Sequence, residues 1–334
     1  MATTAHDRGI VTLHDLAKLK MPDGKITSLC EQLTLRTPFL QDVHWQEGNL
    51  TTGHRIGRRT ALPSIGWRGI NEGVAAGKSE EDTIDETCGM LQGRSEIDVQ
   101  LLKLNGGNPF RLKKEMAFVP AFMNELETGF FYHSTKATPK KFMGLSPRLD
   151  SFTNVSHPSQ VIQTNLITPS GNEQSSAWFV GWGPDKVYGI VPKDSHAGLD
   201  HQDLGDNHFA EDAAGNKYRV AVSEWTQHVG LCVEDARYVV RVPNLDSSAM
   251  VRTGSLLIQS LIEGYHQIED HQQCRCVLYV NRFLFKMLHH QAIQGTFGGT
   301  LTMQTLADGR PLMSFLGIPI RMSGALLATE AVIS

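Results

Sequence analysis

Residues 108–133 read NPFRLKKEMAFVPAFMNELETGFFYH. Within them Leu112, Met116, Val119, Met123, Leu126 and Phe130 recur at steps of four, three, four, three and four, which places them on one face of a helix. Phe118 and Phe122 add a second flank. About 22 residues at ~1.5 Å each make a rod of roughly 33 Å. Pro120 lacks an amide proton, so it is expected to kink the rod or delay its start.

Before the rod, the chain is poorly patterned. Residues 1–49 form a polar lead with isolated apolar side chains, short helices being expected at Thr12–Leu19 and from Lys25 to about Leu33. Such a segment is either an extended arm that packs on a neighbour or a disordered tail. Between about 50 and 105, His54–Thr60 and Glu96–Leu101 alternate partly, as half-buried strands do. The middle holds Gly66, Gly69, Gly73 and Gly77, then the acidic residues Glu80, Glu81, Asp82, Asp85 and Glu86. This pattern predicts a long hairpin that projects from the body and needs a partner surface.

After the rod, a proline-containing loop region (134–171) gives way to strands. Ala177–Trp182, Val187–Val191, Tyr218–Val222, Arg237–Val242 and Cys276–Val280 are all rich in β-branched and aromatic residues. Helices fit Thr253 to about Gln267 and Arg282 to about Gln291, the second with Asn281 as its N-cap. Two more strand candidates, Gly317–Arg321 and Ala325–Ile333, close the chain around Gly324. The class is mixed α+β.

Composition narrows the function. The chain has 334 residues, 40% hydrophobic and 20% charged, enough to bury a sizeable core without an apolar run of membrane-spanning length. The start shows no secretory signal pattern, and Met1 argues against N-terminal cleavage. Five scattered cysteines (Cys30, Cys88, Cys232, Cys274 and Cys276) suit a reducing cytoplasm. The net charge of −4 shows no basic excess for holding nucleic acid by its phosphates. Many cytoplasmic proteins share that mildly acidic balance.

No constellation of chemistry stands out. Gly77-Lys78-Ser79 ends like a phosphate-binding loop, but position 72 is Glu72 and Gly73 comes one residue late. His196, His201 and His208 lie among aspartates, which raises a rival reading: a cytoplasmic metal-dependent enzyme using the His196–His208 loop. Their gaps of five and seven do not match zinc spacing, and a solvated loop is the better expectation. Cys274-Arg275-Cys276 is not a CxxC pair and enters an apolar strand as small buried thiols. His289 and His290 are adjacent on a helix and point to different faces. No catalytic, cofactor-binding or metal residue is assigned, and no cofactor is expected.

From Asn108 onward the sequence resembles the major capsid proteins of tailed bacteriophages. The residues that carry this are Asn108–Arg111 through Phe131–His133, Lys141–Leu145, Trp178–Pro184, Tyr188–Lys193, Arg237–Arg241, Tyr279–Arg282, Phe315–Arg321 and Thr329-Glu330. The likeness covers about two-thirds of the chain, from near residue 105 to the end; the order of the motifs makes the case, none being diagnostic alone.

The resemblance implies the Hong Kong 97-type capsid fold, and a structural protein rather than an enzyme. It implies an N-terminal arm at 1–49, an extended hairpin loop at 50–105, and a peripheral domain at 106–175 with a spine helix at about 108–131. An axial domain would follow at 176–310, and the last strands, 311–334, would return to the peripheral domain. It further implies pentamers and hexamers of an icosahedral head that encloses double-stranded DNA without reading its sequence. Such a shell is assembled in the host bacterial cytoplasm, away from membranes, with a portal and with a scaffold or a cement (decoration) protein as further partners. Arg55, Arg58, Arg59 and Arg68 on the hairpin face acidic segments such as Glu80, Glu81 and Asp82, so charge pairs between subunits are candidate contacts. An ordinary solvated charge pattern, worth ~0–1 kcal/mol per pair, is the competing account.

Overall fold

The computed structural model describes residues 37–104, 107–153, 157–163, 174–195, 198–212, 214–246, 254–294, 300–305 and 311–333. The helices expected at 12–19 and 25–33 lie outside these residues, as do Cys30 and His196. In chain order, the first half contains α1 (Phe39–Asp42), β1 (Trp45–Glu47), β2 (Gly53–Ala61), β3 (Glu80–Thr87), β4 (Gly89–Asp98), α2 (Val99–Leu104), α3 (Asn108–Glu115) and α4 (Phe118–Tyr132). Then come β5 (Gln174–Trp182), β6 (Val187–Val191), β7 (Asp200–Glu211), β8 (Lys217–Val233) and β9 (Val239–Asp246). The chain closes with α5 (Gly254–His266), β10 (Arg275–Val280), α6 (Arg282–Gln294), β11 (Leu301–Thr305), β12 (Pro311–Phe315) and β13 (Ile318–Met322). Two compact units result: Met90–Leu126 with His196–His228, and Arg36–Gly89 with Glu127–Ser195 and Val229–Ser334.

The first unit is small and built around β8. Strand β7 pairs with it antiparallel, from Asp200↔Thr226 to Glu211↔Lys217. Strand β4 joins its other side. Ile97, Leu101, Leu102, Phe110 and Ala221 form a buried cluster, and Phe118 stacks on Trp225 with ring centroids 4.4 Å apart. Arg111 is buried here yet fully engaged. Its Nε donates to Glu115 at 2.8 Å and its Nη2 to Asp203 at 2.6 Å. The Ser223 hydroxyl donates to the same Glu115 carboxylate at 2.7 Å. A buried charge without such partners would cost several kcal/mol.

The expected single rod is two helices. Helix α3 stops at Glu115, Met116 and Ala117 form a turn, and α4 restarts at Phe118. That restart puts Pro120 in the first turn of α4, where a missing amide proton breaks no helical hydrogen bond.

The second unit carries the larger core. All nine residues of β5 are buried, which is how a strand covered on both faces reads. It pairs antiparallel with β10 (Arg275↔Trp182 to Tyr279↔Trp178) and with β9. Beyond β10 lie β13, which is parallel to it, then β12 and β11. The last strands therefore extend the sheet of β10. Asn281 does cap α6: its Oδ1 accepts from Leu284 N at 2.8 Å. Ala325–Ile333, expected as a strand, is not one in the structure. Its contribution is Glu330, a buried carboxylate that accepts from Arg241 at 2.9 Å, from Tyr132 at 2.6 Å and from Ser176 at 2.5 Å. A side-chain anchor and a single backbone bridge, Glu330 to Gln174, fix this terminal stretch.

Residues 37–49, which were counted with the arm, belong to this body. The Phe39 ring is fully buried, within 4.8–5.0 Å of the rings of Phe130, Phe131, Trp182 and Tyr279. Asp42 accepts from Arg275 at 2.6 Å and from the Tyr279 hydroxyl at 3.0 Å. Strand β1 adds in parallel to β6, and Gly189 leaves room for the Trp45 ring; a Cβ there would lie 2.7 Å from it.

Glu127 is a strained carboxylate in this core. It is fully buried; its Oε1 accepts from Ser323 at 2.6 Å, while its Oε2 has no partner among the described residues. Burial first, with a smaller contribution from nearby Asp42, pushes its pKa up to about 8. Because the folded pKa is raised, the favourable protonated state is complete below the unfolded value near 4.5 and is lost as pH rises through about 8. The free energy of unfolding is expected to fall by on the order of 3–5 kcal/mol between pH 5 and 9 from this group alone. Denaturant titrations of wild type and Glu127→Gln across that range should show the extra decline in wild type only; parallel curves would refute it.

Candidate assembly interface

The charged segment that the sequence reading placed in the middle of the hairpin is one of its strands. Strand β2 pairs with β3, Gly53↔Thr87 through Ala61↔Glu80, as a separate two-stranded sheet. The segment Glu96–Leu101, expected as the return strand, instead ends β4 and begins α2. The reason is in the pairing: acidic β3 opposes basic β2, so opposite charges face each other across the ribbon.

That register places the candidate contact residues. Arg58 lies opposite Asp82, Arg59 opposite Glu81, and Glu80 opposite Ala61. Arg59 reaches Glu81 at 3.6 Å, and Arg55 forms a two-pronged pair with Asp85 at 2.6 and 2.7 Å. Hydrogen bonding to Arg55 lowers the Asp85 pKa. Arg58 departs from the others, being half-buried and donating to the Val233 carbonyl. Arg68 is exposed in the connection between the strands. The structure thus brings Arg55 and Arg59 together with acids of their own hairpin and leaves Arg68 apart.

Two features escaped the sequence reading. At the base of the hairpin, Glu86 is buried and takes both prongs of the Arg148 guanidinium at 2.5 and 2.8 Å. Arg148 also donates to the carbonyls of Gly144, Met143 and Leu231. Ile56 packs beside the pair with Tyr188, Ile190 and Cys232. At the tip, by contrast, Leu62, Ile65, Trp67 and Ile70 are exposed, Ile65 and Ile70 each at 94%. The signal was present as large apolar residues interleaved with Gly66 and Gly69, but it was read as a polar glycine-rich turn.

The helical stripe behaves in a similar way. Leu126 and Phe130 are buried, whereas Leu112 (58% exposed), Met116 (71%), Val119 and Met123 face solvent. Two apolar surfaces are therefore bare on one chain, a hairpin tip and a helix face. Contiguous exposed apolar residues of this kind mark association sites.

The described part of the histidine segment is regular secondary structure. The expected loop is strand β7; His201 stacks on Trp225 at 4.8 Å and His208 meets the Leu204 carbonyl at 3.1 Å. Among the described residues, no group of three or more His, Cys, Asp and Glu side chains is arranged to hold a metal.

A mixed α+β body with a two-stranded hairpin bare at its tip defines a shell-building protein of the Hong Kong 97 capsid fold. The chain belongs to the family described as Major capsid protein GP7, whose model matches residues 21–334. It is a structural subunit of a phage virion shell that associates with its own copies, and not an enzyme. Among solved structures it is similar to a chain of bacteriophage Epsilon15, with 26% identity and a TM-score of 0.78 over 100% of this chain and 99% of that one. It also matches the bacteriophage JBD30 capsid at 13% identity and a TM-score of 0.53, covering 94% of this chain and 99% of that one. No curated protein sequence matches it.

Truncating Arg148 to Ala leaves Glu86 as a buried, unpaired carboxylate, a change that costs ~3–5 kcal/mol. Hydrogen exchange should quicken at Gly53–Ile56 and Ile84–Thr87, and the double variant Arg148→Ala/Glu86→Gln should recover part of the loss. Unchanged exchange in Arg148→Ala would show that the pair does not hold the hairpin.

Proposed function

We propose that this subunit builds an icosahedral head from pentamers and hexamers, with the hairpin tip of one copy lying on the Leu112–Met123 helix face of the next. The observation that carries this reading is the presence of two exposed apolar surfaces of unlike shape on one chain. Unlike surfaces join head to tail, and such contacts close into rings. Burying Trp67 and its neighbours against the helix face removes both exposed patches at once. The charged edges of the hairpin (Arg55, Arg59, Arg68, Glu80, Glu81 and Asp82, with Arg58 nearer the body) would set its register on the neighbour.

In domain terms, the arm is the chain before about residue 37 and the hairpin loop is 53–87. Helices α3 and α4 are the spine of a peripheral domain, which on this reading also takes in 196–228. The sheet around β5 and β10, with β11–β13, belongs to the axial domain. The head encloses double-stranded DNA without sequence reading, in keeping with a net charge of −4. Assembly takes place in the host bacterial cytoplasm, with a portal and with scaffold or cement protein as partners. The JBD30 capsid is described as decorated with minor capsid protein trimers, which supports the last of these by analogy.

The test is assembly of the purified full chain, followed by size-exclusion chromatography and negative-stain electron microscopy. Wild type should form shells or rings of five and six. Truncating a central tryptophan costs ~2 kcal/mol or more, about thirtyfold per contact. Trp67→Ser and Met116→Lys should therefore each remain small assemblies at concentrations where wild type closes, with unchanged thermal midpoints. Normal shells from both variants would reject the docking.

Charge reversal gives a second check. Arg58→Glu/Arg59→Glu places acids opposite Asp82 and Glu81, so shell yield should fall and recover partly with added salt, which screens exposed charges. Unchanged yield at low salt would remove the hairpin charges from the account.

A further inference from the structure

The end of the turn before β10 brings two thiols together. Cys274 Sγ lies 3.1 Å from Cys276 Sγ, with Cys274 partly exposed and Cys276 buried. Residues two apart on an extended chain point to the same side. Cys274 sits in the bend just before the strand, where the chain can shorten further. Strand β5 makes the space: Gly181 is the register partner of Cys276, and a Cβ there would come within 2.8 Å of Cys274 Sγ. His271 stacks on Tyr265 at 4.0 Å and brings its Nδ1 to 3.9 Å from Cys276 Sγ.

We propose that Cys274 and Cys276 form a reversible dithiol–disulfide pair that a small-molecule disulfide closes by thiol exchange. Cys274 attacks first, as a thiolate, because it is the accessible sulfur. Its pKa is lowered, chiefly by the hydrogen bond from Cys276 and further by nearby Lys186. Attack on the small disulfide forms a mixed disulfide at Cys274 and releases one thiol. Cys276 then loses its proton, toward His271 or solvent, and attacks the Cys274 sulfur, releasing the second thiol. The balance is two protein thiols and one small disulfide giving one protein disulfide and two small thiols.

Two other thiols act as internal controls. Burial pushes Cys88 up to about 11 and Cys232 up to about 12. Neither forms a reactive thiolate near neutrality, so both should stay reduced. The Cys274–Cys276 bond is expected to be labile. Residues two apart span roughly 6.6 Å when extended, near the upper limit for a bridge, and strained disulfides are more easily reduced. Such a pair remains open in a reducing cell and closes outside it. The closed ring contains Arg275, whose guanidinium holds Asp42.

The experiment equilibrates the folded full chain in graded mixtures of reduced and oxidised glutathione. Free thiols are then trapped by acid and alkylation and mapped by mass spectrometry. The expected result is loss of two alkyl groups, both from the 274–276 peptide, reversed by dithiothreitol, with Cys88 and Cys232 still alkylated. Cys276→Ser should instead retain one glutathione on Cys274, and Cys274→Ser should retain none at this peptide. Wild type that keeps both alkyl groups in every mixture, or that oxidises Cys88 or Cys232 first, would overturn the proposal. So would a folded Cys276→Ser chain that takes up no glutathione.

Discussion

A two-stranded ribbon cannot bury its own side chains, because it has no second layer to close over them. The hairpin of this subunit is subject to that constraint from end to end. Its base is held by the Glu86–Arg148 pair and by Ile56 among Tyr188, Ile190 and Cys232. Its middle is largely exposed, with opposite charges facing each other across the ribbon. Its tip carries exposed apolar groups that a soluble monomer has no reason to display. A stiff base is what makes the bare tip useful. Ordering entropy is met within the subunit during folding, so less is lost when a partner docks.

The body is arranged to hold such a projection. Strand β5 is covered on both faces, and the charged groups buried beside it are held by partners. Arg241 illustrates the rule: its guanidinium meets Glu330, Ser176 and the Leu149 carbonyl, and lies over the Trp178 ring. Asp42 does the same for the beginning of the described chain, through Arg275 and Tyr279. The segment after the sheet and the segment before it are thus fastened by backbone pairing, β1 on β6 and Glu330 on Gln174, as well as by side-chain charge pairs. Such pairs add little net stability over apolar packing, but one misplaced partner is costly, so they favour a single arrangement. Glu127 has one oxygen unpartnered among the described residues, and its raised pKa makes the core sensitive to pH.

Association then requires no strong single contact. Each subunit offers an apolar tip and an apolar helix face, and a closed shell multiplies modest contacts through effective concentration. The turn at Met116–Ala117 between α3 and α4 brings a methionine to the surface at 71% exposure in the middle of the bare face. Methionine is flexible and polarizable, and adapts to neighbours that are similar without being identical.

The sequence by itself determined the local elements. The buried strands around Trp178 and Val277, the Asn281 cap and the existence of a hairpin follow from periodicity and capping chemistry, both of which act over a few residues. Only the tertiary structure decided which strand closes the hairpin, that Phe39 belongs to the core, and that Glu330 anchors the last residues by a side chain. It also divided the helical stripe, burying Leu126 and Phe130 while leaving Leu112, Met116, Val119 and Met123 open. Periodicity says that a face needs cover, and it carries no information on whether the cover comes from the same chain or from another. The thiol pair was equally illegible: Cys-x-Cys entering a strand reads as two small apolar residues, until Gly181 on the facing strand is seen to leave room for both sulfurs on one side.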